Sequence, residues 1–293
     1  LKGPVLVLAG AGSGKTRTLT YRTANLIENG IDPKNILTVT FTNRAANDME
    51  DKIVDLLGDE KIKDMWLGTF HSICLRILRD NFTKIDRIEG ALIYDTNDSI
   101  DIVEDIVFEF GLDDQEYDAK MVYNIISKAK MNLIDSSELV HNFAKDGNKG
   151  SQFFYRNIAD VYKEYERVLY NNNSFDFNDL IKKTIDLFEE NPEVLNHYQQ
   201  IFKYIQVDEY QDVNHAQYKL TNMLTKPENN IFIVGDDWQG IYGFRGADIT
   251  NILEFERDYP QAKIIKLERN YRSTNNIITA SNELIKNNTQ NKV

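Results

Sequence analysis

The sequence predicts an α/β fold, in which a parallel sheet with helices on both faces is interrupted by an all-helical inserted subdomain. Three observations lead to this prediction. Short apolar runs of strand length alternate with helical patterns in the first and last parts of the chain. A glycine-rich turn joins the first such run to the first helix, as in a phosphate-binding P-loop. Residues 95–173 show helical periodicity and no convincing strand.

The first part of the chain contains three strand-and-helix pairs. The expected strands are residues 5–9, 35–41 and 66–70. The expected helices are residues 15–29, residues 43–58 and residues 71–79. Gly30 is a C-terminal stop for the first helix, and Thr42 or Asn43 can cap the second. The alternation of strands and helices favours a parallel sheet.

Strands return after the helical stretch, at residues 202–207, 230–235 and 263–267. The prediction is therefore one discontinuous domain, residues 1–94 and 174–293, that carries a helical subdomain at residues 95–173. That subdomain holds 16 Asp and Glu against 8 Lys and Arg, so most of the excess negative charge of the chain lies there.

Composition excludes several classes of protein. The chain has 293 residues and a net charge of −12, which argues against a protein that coats DNA non-specifically but not against a local nucleic-acid groove. No apolar run approaches the roughly 18 residues of a membrane span. A single cysteine, Cys74, rules out an internal disulfide, fits a cytoplasmic location and is expected to be small, buried and without chemistry. The four histidines show no zinc-site spacing. Because residue 1 is Leu, we expect a fragment of a longer protein.

The glycine-rich turn AGAGSGKT, residues 9–16, predicts a phosphate cradle. Glycines let the backbone amides curl toward phosphate oxygens, and the following helix N-terminus adds partial positive charge. Lys15 would reach the terminal phosphates, and the Thr16 hydroxyl would be a ligand of Mg²⁺. Ala9 stands where the P-loop pattern has glycine, and its small side chain still permits the turn. The alternative is a glycine-rich turn that binds nothing.

Two carboxylates, Asp208 and Glu209, end the apolar strand at residues 202–207. Because the carboxyl ends of parallel strands share one edge of a sheet, these side chains are expected to meet the P-loop. Asp208 would then hold Mg²⁺, and Glu209 would act as the general base toward water. A solvated acidic turn is the alternative interpretation.

The chain resembles the N-terminal part of a UvrD/PcrA/Rep-type helicase of superfamily 1, which has a RecA-like fold. Six segments carry the resemblance, in the order of the family's motifs. They are AGAGSGKT (9–16), TFTNRAANDM (40–49), GTFHSICLRIL (68–78), VDEYQDVN (207–214), VGDDWQGIYGFRGAD (234–248) and LERNYRS (267–273). The chain departs from the family pattern at Asn43-Arg-Ala-Ala46, Trp238 and Gly240. Neither the family's N-terminal glutamine motif nor its second motor domain is found within residues 1–293, as expected of a fragment.

The resemblance implies roles for particular residues. Lys15, Glu209, Gln239 and Arg272 would be catalytic, with Gln239 sensing the γ-phosphate and Arg272 acting as an arginine finger. Tyr271 would stack on adenine. The residues implied to bind ATP are Ala9, Gly10, Ala11, Gly12, Ser13, Gly14, Lys15, Thr16, Arg17, Asp208 and Tyr271. The residues implied to contact single-stranded DNA are Phe41, Asn43, His71, Tyr242, Phe244 and Arg245.

Exposed aromatic rings suit sequence-independent stacking on bases, in agreement with the implied DNA path. From periodicity alone, core packing is the favoured interpretation of Phe41 and Phe244, and their place beside the family motifs reverses that preference. His71 is equally well interpreted as a helix-start residue that hydrogen-bonds to backbone.

The function that the resemblance implies is that of the ATP-binding first motor domain of a 3′–5′ single-stranded DNA translocase or helicase. It would use ATP and Mg²⁺, act on single-stranded DNA and 3′-tailed duplexes, need a second motor domain and be a monomer. One alternative is the helicase part of a helicase–nuclease subunit. Another is a nucleotide-gated DNA-binding module without productive hydrolysis. A metabolite kinase explains neither the segment at 234–248 nor the aromatic pairs.

Overall fold

A computed structural model of the chain describes residues 2–144, 148–236, 248 and 250–285. The chain divides into two compact units, each with its own core. The first unit contains Leu1–Ile73 and Asn191–Val293, and the second contains Cys74–Glu190.

Eight strands and thirteen α-helices are found among the described residues. The strands are β1 (Val5–Ala9), β2 (Ile36–Thr40), β3 (Trp66–Thr69), β4 (Leu92–Ile93), β5 (Ser174–Phe175), β6 (Tyr204–Val207), β7 (Ile231–Gly235) and β8 (Lys263–Leu267). The helices are α1 (Lys15–Glu28), α2 (Asn43–Leu57), α3 (Phe70–Asp80), α4 (Thr96–Glu109), α5 (Ala119–Met131), α6 (Leu139–Phe143), α7 (Lys149–Asn171), α8 (Asp179–Glu190), α9 (Pro192–Ile201), α10 (His215–Thr225), α11 (Thr250–Leu253), α12 (Phe255–Asp258) and α13 (Asn275–Ile285).

A six-stranded parallel sheet forms the centre of the first unit, with the strand order β3-β2-β6-β7-β1-β8. β1 lies between two strands from the far end of the sequence, because Val5 is in register with Phe232 on one side and Lys263 on the other. Every residue of β1, β2, β6 and β7 is buried, as is typical of parallel strands covered by helices on both faces. The predicted parallel α/β fold is confirmed, although several strands are one or two residues shorter than expected.

Helices cover both faces of this sheet, as predicted. On one face, Val5 and Val7 of β1 pack in a cluster with Leu19 of α1 and with Met49 and Ile53 of α2. On the other face, side chains of β2 and β6 meet α3 and α10. The residues that meet there are Leu37, Val39, Ile205, Val207, Phe70, Ile73, Leu220 and Leu224. Since parallel strands all end at one edge, this packing directs the loops after β1, β6 and β7 to the same side.

The second unit is a helical bundle with a small two-stranded parallel sheet, β4-β5. Its core is apolar and aromatic, with Val103 of α4, Ile126 of α5 and both Val161 and Tyr165 of α7 fully buried. Burial also raises the pKa of the Cys74 thiol to about 12, so the thiol stays protonated at neutral pH.

The second unit is wider than the helical subdomain expected at residues 95–173, because it begins at Cys74 and ends at Glu190. Two interactions extend it toward α8. β5 pairs with β4, and Asp179, the first residue of α8, binds Lys130 of α5 at 2.8 Å. Residues 172–173 form the turn between α7 and β5 within this unit.

Candidate nucleotide site

The loop between β1 and α1 is shaped by two glycines in the left-handed region. Gly12 has a φ of 70° and Gly14 a φ of 100°, which residues with a side chain rarely adopt. Ser13 tightens the turn, since its backbone N–H and its hydroxyl both donate to the Gly10 carbonyl, at 3.2 and 2.7 Å. Within the described residues, no side chain caps the N-terminus of α1. The first amides of that helix can therefore serve an anionic ligand.

Ala9 and Ala11 occupy different environments at the start of this loop. Ala9 is the last residue of β1, is paired with Leu267 and packs in the core, which explains why a glycine is not required there. Ala11 is exposed, and its carbonyl accepts a hydrogen bond from the Asn270 side chain at 2.6 Å. Arg17 is exposed in the first turn of α1, with its guanidinium carbon 5.3 Å from the centre of the Tyr21 ring.

Lys15 brings the phosphate loop to the ends of two other strands. Its ammonium lies 3.4 Å from Oε2 of Glu209, which follows β6, and 3.9 Å from Oδ2 of Asp236, which follows β7. Lys15 is buried, so these charges interact across little water. The expected convergence of the P-loop with Asp208 and Glu209 is thus present in the structure.

Thr16 and Asp208 form the second contact between the loop and β6. The Thr16 hydroxyl donates to Oδ2 of Asp208 at 3.3 Å. Burial, together with the charge of Glu209, raises the pKa of Asp208 to about 6. A hydroxyl and a carboxylate side by side are oxygen ligands of the kind that Mg²⁺ prefers, so the residues present fit that ion.

Glu209 is held in an unusual backbone conformation, with a φ of 47° and a ψ of 47°. Left-handed geometry in a residue other than glycine costs free energy and is frequent at functional sites. The Glu209 side chain is 33% exposed, so water can reach the carboxylate. It also accepts a hydrogen bond from the Gln211 amide at 2.8 Å.

The segment after β8 folds over the phosphate loop. The Tyr271 backbone N–H donates to the Gly12 carbonyl at 2.9 Å, and a Cβ built on Gly12 would lie 2.5 Å from Cβ of Arg272. Asn270 fixes this segment, since its Oδ1 accepts from the backbone amides of Arg272 and Ser273. The Tyr271 ring is 71% exposed, with the Arg269 guanidinium carbon 5.1 Å from its centre. The Tyr271 backbone and Cβ of Arg272 therefore lie beside Gly12 of the loop.

The residues expected to contact DNA are only partly described. Phe41, half-buried, and Asn43, exposed, lie where β2 leads into α2, and the Thr42 side chain caps that helix by accepting from the Ala45 N–H. His71 is half-buried in the first turn of α3, and burial lowers its pKa to about 4. Gln239, Tyr242, Phe244, Arg245 and the departures Trp238 and Gly240 lie outside the described residues.

Three polar residues at this site were not singled out from the sequence. Gln211 and Asn270 lie within quoted motifs, yet their partners, Asp236 and Ala11, are distant along the chain. Asp236 follows the apolar strand at residues 230–235 and lies within the segment 234–248. Its position at the carboxyl end of a continuous apolar strand was the available signal, since such strand ends share one edge of a parallel sheet.

Two features, a membrane-spanning helix and a cluster of metal-binding side chains, were not found in the part of the chain that the structure describes. No helix there is long and apolar enough to cross a membrane. No group of three or more His, Cys, Asp and Glu side chains there is arranged to hold a metal ion.

Comparison with known proteins places this site in a family context. Residues 1–260 match the family model described as the UvrD/REP helicase N-terminal domain. The ATP-dependent DNA helicase PcrA of Bacillus subtilis (strain 168) is 47% identical over 291 residues, which is 99% of this chain and 38% of that protein. The proteins of the same name from Staphylococcus epidermidis (strain RP62A) and Staphylococcus aureus (strain Mu50) are 46% and 44% identical over 292 residues. The chain spans less than two-fifths of the length of these curated relatives.

Proposed function

Because the chain belongs to the UvrD/REP helicase N-terminal domain family, we propose that it is the ATP-binding first motor domain of an ATP-dependent DNA helicase. One observation carries the proposal. Lys15 and Thr16 of the phosphate loop meet Glu209 and Asp208 at the end of β6, at 3.4 and 3.3 Å. A loop that only bound phosphate would not need a water-accessible carboxylate beside its lysine.

The proposed reaction is hydrolysis of the γ-phosphate of ATP. Loop amides and Lys15 bind the terminal phosphates, and Thr16 and Asp208 would hold Mg²⁺. When bound, that ion supplies charge neutralisation on the phosphates. Glu209 accepts a proton from the attacking water as its oxygen bonds to phosphorus, and the bond to the ADP oxygen breaks. Lys15 compensates the negative charge on the phosphate oxygens.

Other residues of the proposed site act on the nucleotide from the opposite side of the loop. Tyr271 stacks on the adenine ring, and Arg272 donates to the γ-phosphate as charge develops. These two roles are supported by the contact that the segment containing Tyr271 and Arg272 makes with Gly12. The roles of Arg17 in nucleotide binding and of Gln239 in sensing the γ-phosphate rest on the motif resemblance.

The proposed substrate track is single-stranded DNA, followed in the 3′–5′ direction from a 3′-tailed duplex. Phe41, Asn43 and His71 would contact the strand together with the undescribed Tyr242, Phe244 and Arg245. We further propose that the motor domain is discontinuous in sequence, with the helical unit inserted between its two parts. The full-length protein would contain a second motor domain, be a monomer and be located in the cytoplasm. The similarity to PcrA proteins supports the DNA substrate.

The test is DNA-stimulated ATPase activity of the full-length protein with Glu209 intact and replaced. Single-stranded DNA is expected to stimulate ATP turnover in the unchanged protein. Glu209→Gln removes the proton acceptor and should lower the turnover rate by about 100-fold or more. The affinity for ATP–Mg²⁺, measured by titration with a fluorescent ATP analogue, should change little.

Asp186→Asn, on a helix of the second unit, is the control for removal of one carboxylate and should leave turnover unchanged. An unchanged ATPase rate in Glu209→Gln would remove this residue from its role. ATP binding without DNA-stimulated turnover in the unchanged protein would favour the nucleotide-gated binding module. Strand cleavage in the same reactions would favour the helicase–nuclease alternative.

A further inference from the structure

The loop after β6 contains a buried amide that none of the proposed catalytic roles uses. We propose that Gln211 is a positioning residue, which orients the Glu209 carboxylate toward water and ties it to the end of β7. The inference rests on the proposed function, because it assigns how the proposed general base is held.

Gln211 makes polar contacts at both ends of its amide. Its Nε2 donates to Oε2 of Glu209 at 2.8 Å and lies 3.4 Å from Oδ2 of Asp212. Its Oε1 accepts from the Asp236 backbone N–H at 2.9 Å. A flipped amide would place an oxygen against two carboxylates and an NH₂ group against an N–H donor, so chemistry fixes this orientation. Gln211 is 1% exposed, so these bonds are shielded from water.

The hydrogen bond from Gln211 holds one of the two carboxylate oxygens of Glu209. Oε2 is held by both the Gln211 amide and the Lys15 ammonium, at 2.8 and 3.4 Å. Among the described residues, neither a hydrogen bond nor an ion pair involves Oε1. Since the side chain is one-third exposed, Oε1 is the oxygen that can accept a proton from water. Without Gln211, only the longer contact to Lys15 would orient the carboxylate.

The second contact of Gln211 joins Glu209 to β7. A Cβ built on Gly235 would lie 2.9 Å from Oε1 of Gln211 and 2.6 Å from Cδ1 of Ile252. Only glycine permits the end of β7 to approach this closely. Three residues beyond Asp236 the sequence reaches Gln239, the proposed γ-phosphate sensor. A displacement of this strand end would therefore move the amide that orients the proposed base.

A purely structural role for Gln211 makes a different prediction, because a satisfied buried amide would contribute to stability alone. Gln217 provides the matched comparison. It is also buried, at 5% exposure, and its Oε1 accepts from the Asn214 backbone N–H at the start of α10. None of its hydrogen bonds in the described residues involves Glu209.

The experiment compares Gln211→Ala, Gln211→Met and Gln217→Ala in the full-length protein by steady-state DNA-stimulated ATPase assays. Gln211→Met keeps the length of the side chain and guards against loss of folding. Both Gln211 variants should lower kcat by about 10- to 100-fold, since small misplacements of a catalytic group have effects of this size. The KM for ATP should change by less than about threefold, because the phosphate loop is untouched. Gln217→Ala should leave kcat unchanged.

A double-mutant cycle with Glu209→Gln completes the test. In that background Gln211→Met should cause no further loss of the residual rate, because the group it positions is gone. Equal kcat in Gln211→Met and Gln217→Ala would overturn the inference, as would fully additive losses in the cycle. If Glu209→Gln alone retained the unchanged rate, the proposed function of Glu209 would fail instead, so the two failures are distinguishable.

Discussion

Gly12 has to satisfy two requirements at one position of the phosphate loop. Its φ of 70° lies in the left-handed region, and the space beside its Cα is filled by Arg272 and Asn270. The same residue accepts the Tyr271 N–H through its carbonyl. A side chain at this position would therefore strain the turn and displace the segment that carries Tyr271 and Arg272.

Gly12→Ala is expected to weaken ATP binding by about tenfold or more, because a left-handed residue with a side chain costs about 1 kcal/mol before any crowding is added. Equilibrium titration with a fluorescent ATP analogue measures the effect. Gly90→Ala is the control, since Gly90 has a φ of 87° but no atom within 4 Å of its added Cβ. Equal nucleotide affinity in the two variants would show that the crowding at Gly12 is unimportant.

The role of a residue could be predicted from the sequence where the residue belongs to a short local motif. The phosphate loop is one continuous stretch, and Asp208 and Glu209 end a recognisable apolar run. Gln211 and Asn270 could not be predicted, because their roles depend on partners brought near by the sheet. Asn270 and Ala11 are separated by 259 positions along the chain. The chemical roles of all these residues stay predictions.

At the scale of helices, a buried ion cluster holds the second unit together. Lys130 of α5 is fully buried and binds Asp176 at 2.7 Å and Asp179 at 2.8 Å, with Glu166 of α7 as a third carboxylate. Burial, followed by the charge of Asp176, raises the pKa of Asp179 to about 7. A carboxyl with a raised pKa contributes stability below its ordinary pKa and loses it as pH rises toward 7.

Lys130→Met should destabilise the second unit by about 3–5 kcal/mol at pH 8, since it leaves buried carboxylates without a counter-charge. Hydrogen exchange of peptides from α5 and α7 measures the loss locally. The deficit should be smaller at pH 5, where a protonated Asp179 needs no counter-charge. Lys182→Met is the control, because Lys182 is also buried but its partners Asp135 and Asp186 are 62% and 30% exposed, so water can solvate them when the lysine is removed. Equal losses in both variants would contradict the special role of the buried cluster.

Most of the larger elements were predictable, and the limits of the helical unit were not. Strands such as β1 and β7 are continuous apolar runs, which can be recognised directly in the sequence. β4 and β5 have two residues each, too few to show any periodicity. The pairing of Lys130 with Asp179 joins helices 49 positions apart, so it gives no local signal that α8 belongs to this unit.

On the scale of the whole molecule, we expect residues 1–293 alone to bind ATP–Mg²⁺ weakly and not to unwind DNA. The Tyr271 ring is largely exposed, so the part of the site that would hold adenine is covered on few sides. Nucleotide titration and a strand-separation assay on a 3′-tailed duplex measure the two properties, with the full-length protein as the control. Robust unwinding by residues 1–293 would refute the expectation and the need for a second motor domain.

The order of strands in the sheet could not be predicted from the sequence. Alternating strands and helices predict a parallel sheet, but the pattern is the same for any order of strands. The structure places β7 between β1 and β6, so the side chains that meet at Lys15 come from three neighbouring strand ends. That order depends on packing between distant segments, which no local pattern records.

The position of β1 also has a consequence for biosynthesis. Its two neighbours, β7 and β8, lie more than 220 positions later in the chain, at registers Val5 with Phe232 and Val5 with Lys263. β1 must therefore remain without either of its strand partners until residues 231–235 and 263–267, which follow the helical unit in the sequence, have been synthesised. Contacts of such sequence separation form slowly. We therefore expect the loop after β1 to reach its final surroundings only after β7 has left the ribosome, and the unpaired apolar strand to be prone to aggregation until then.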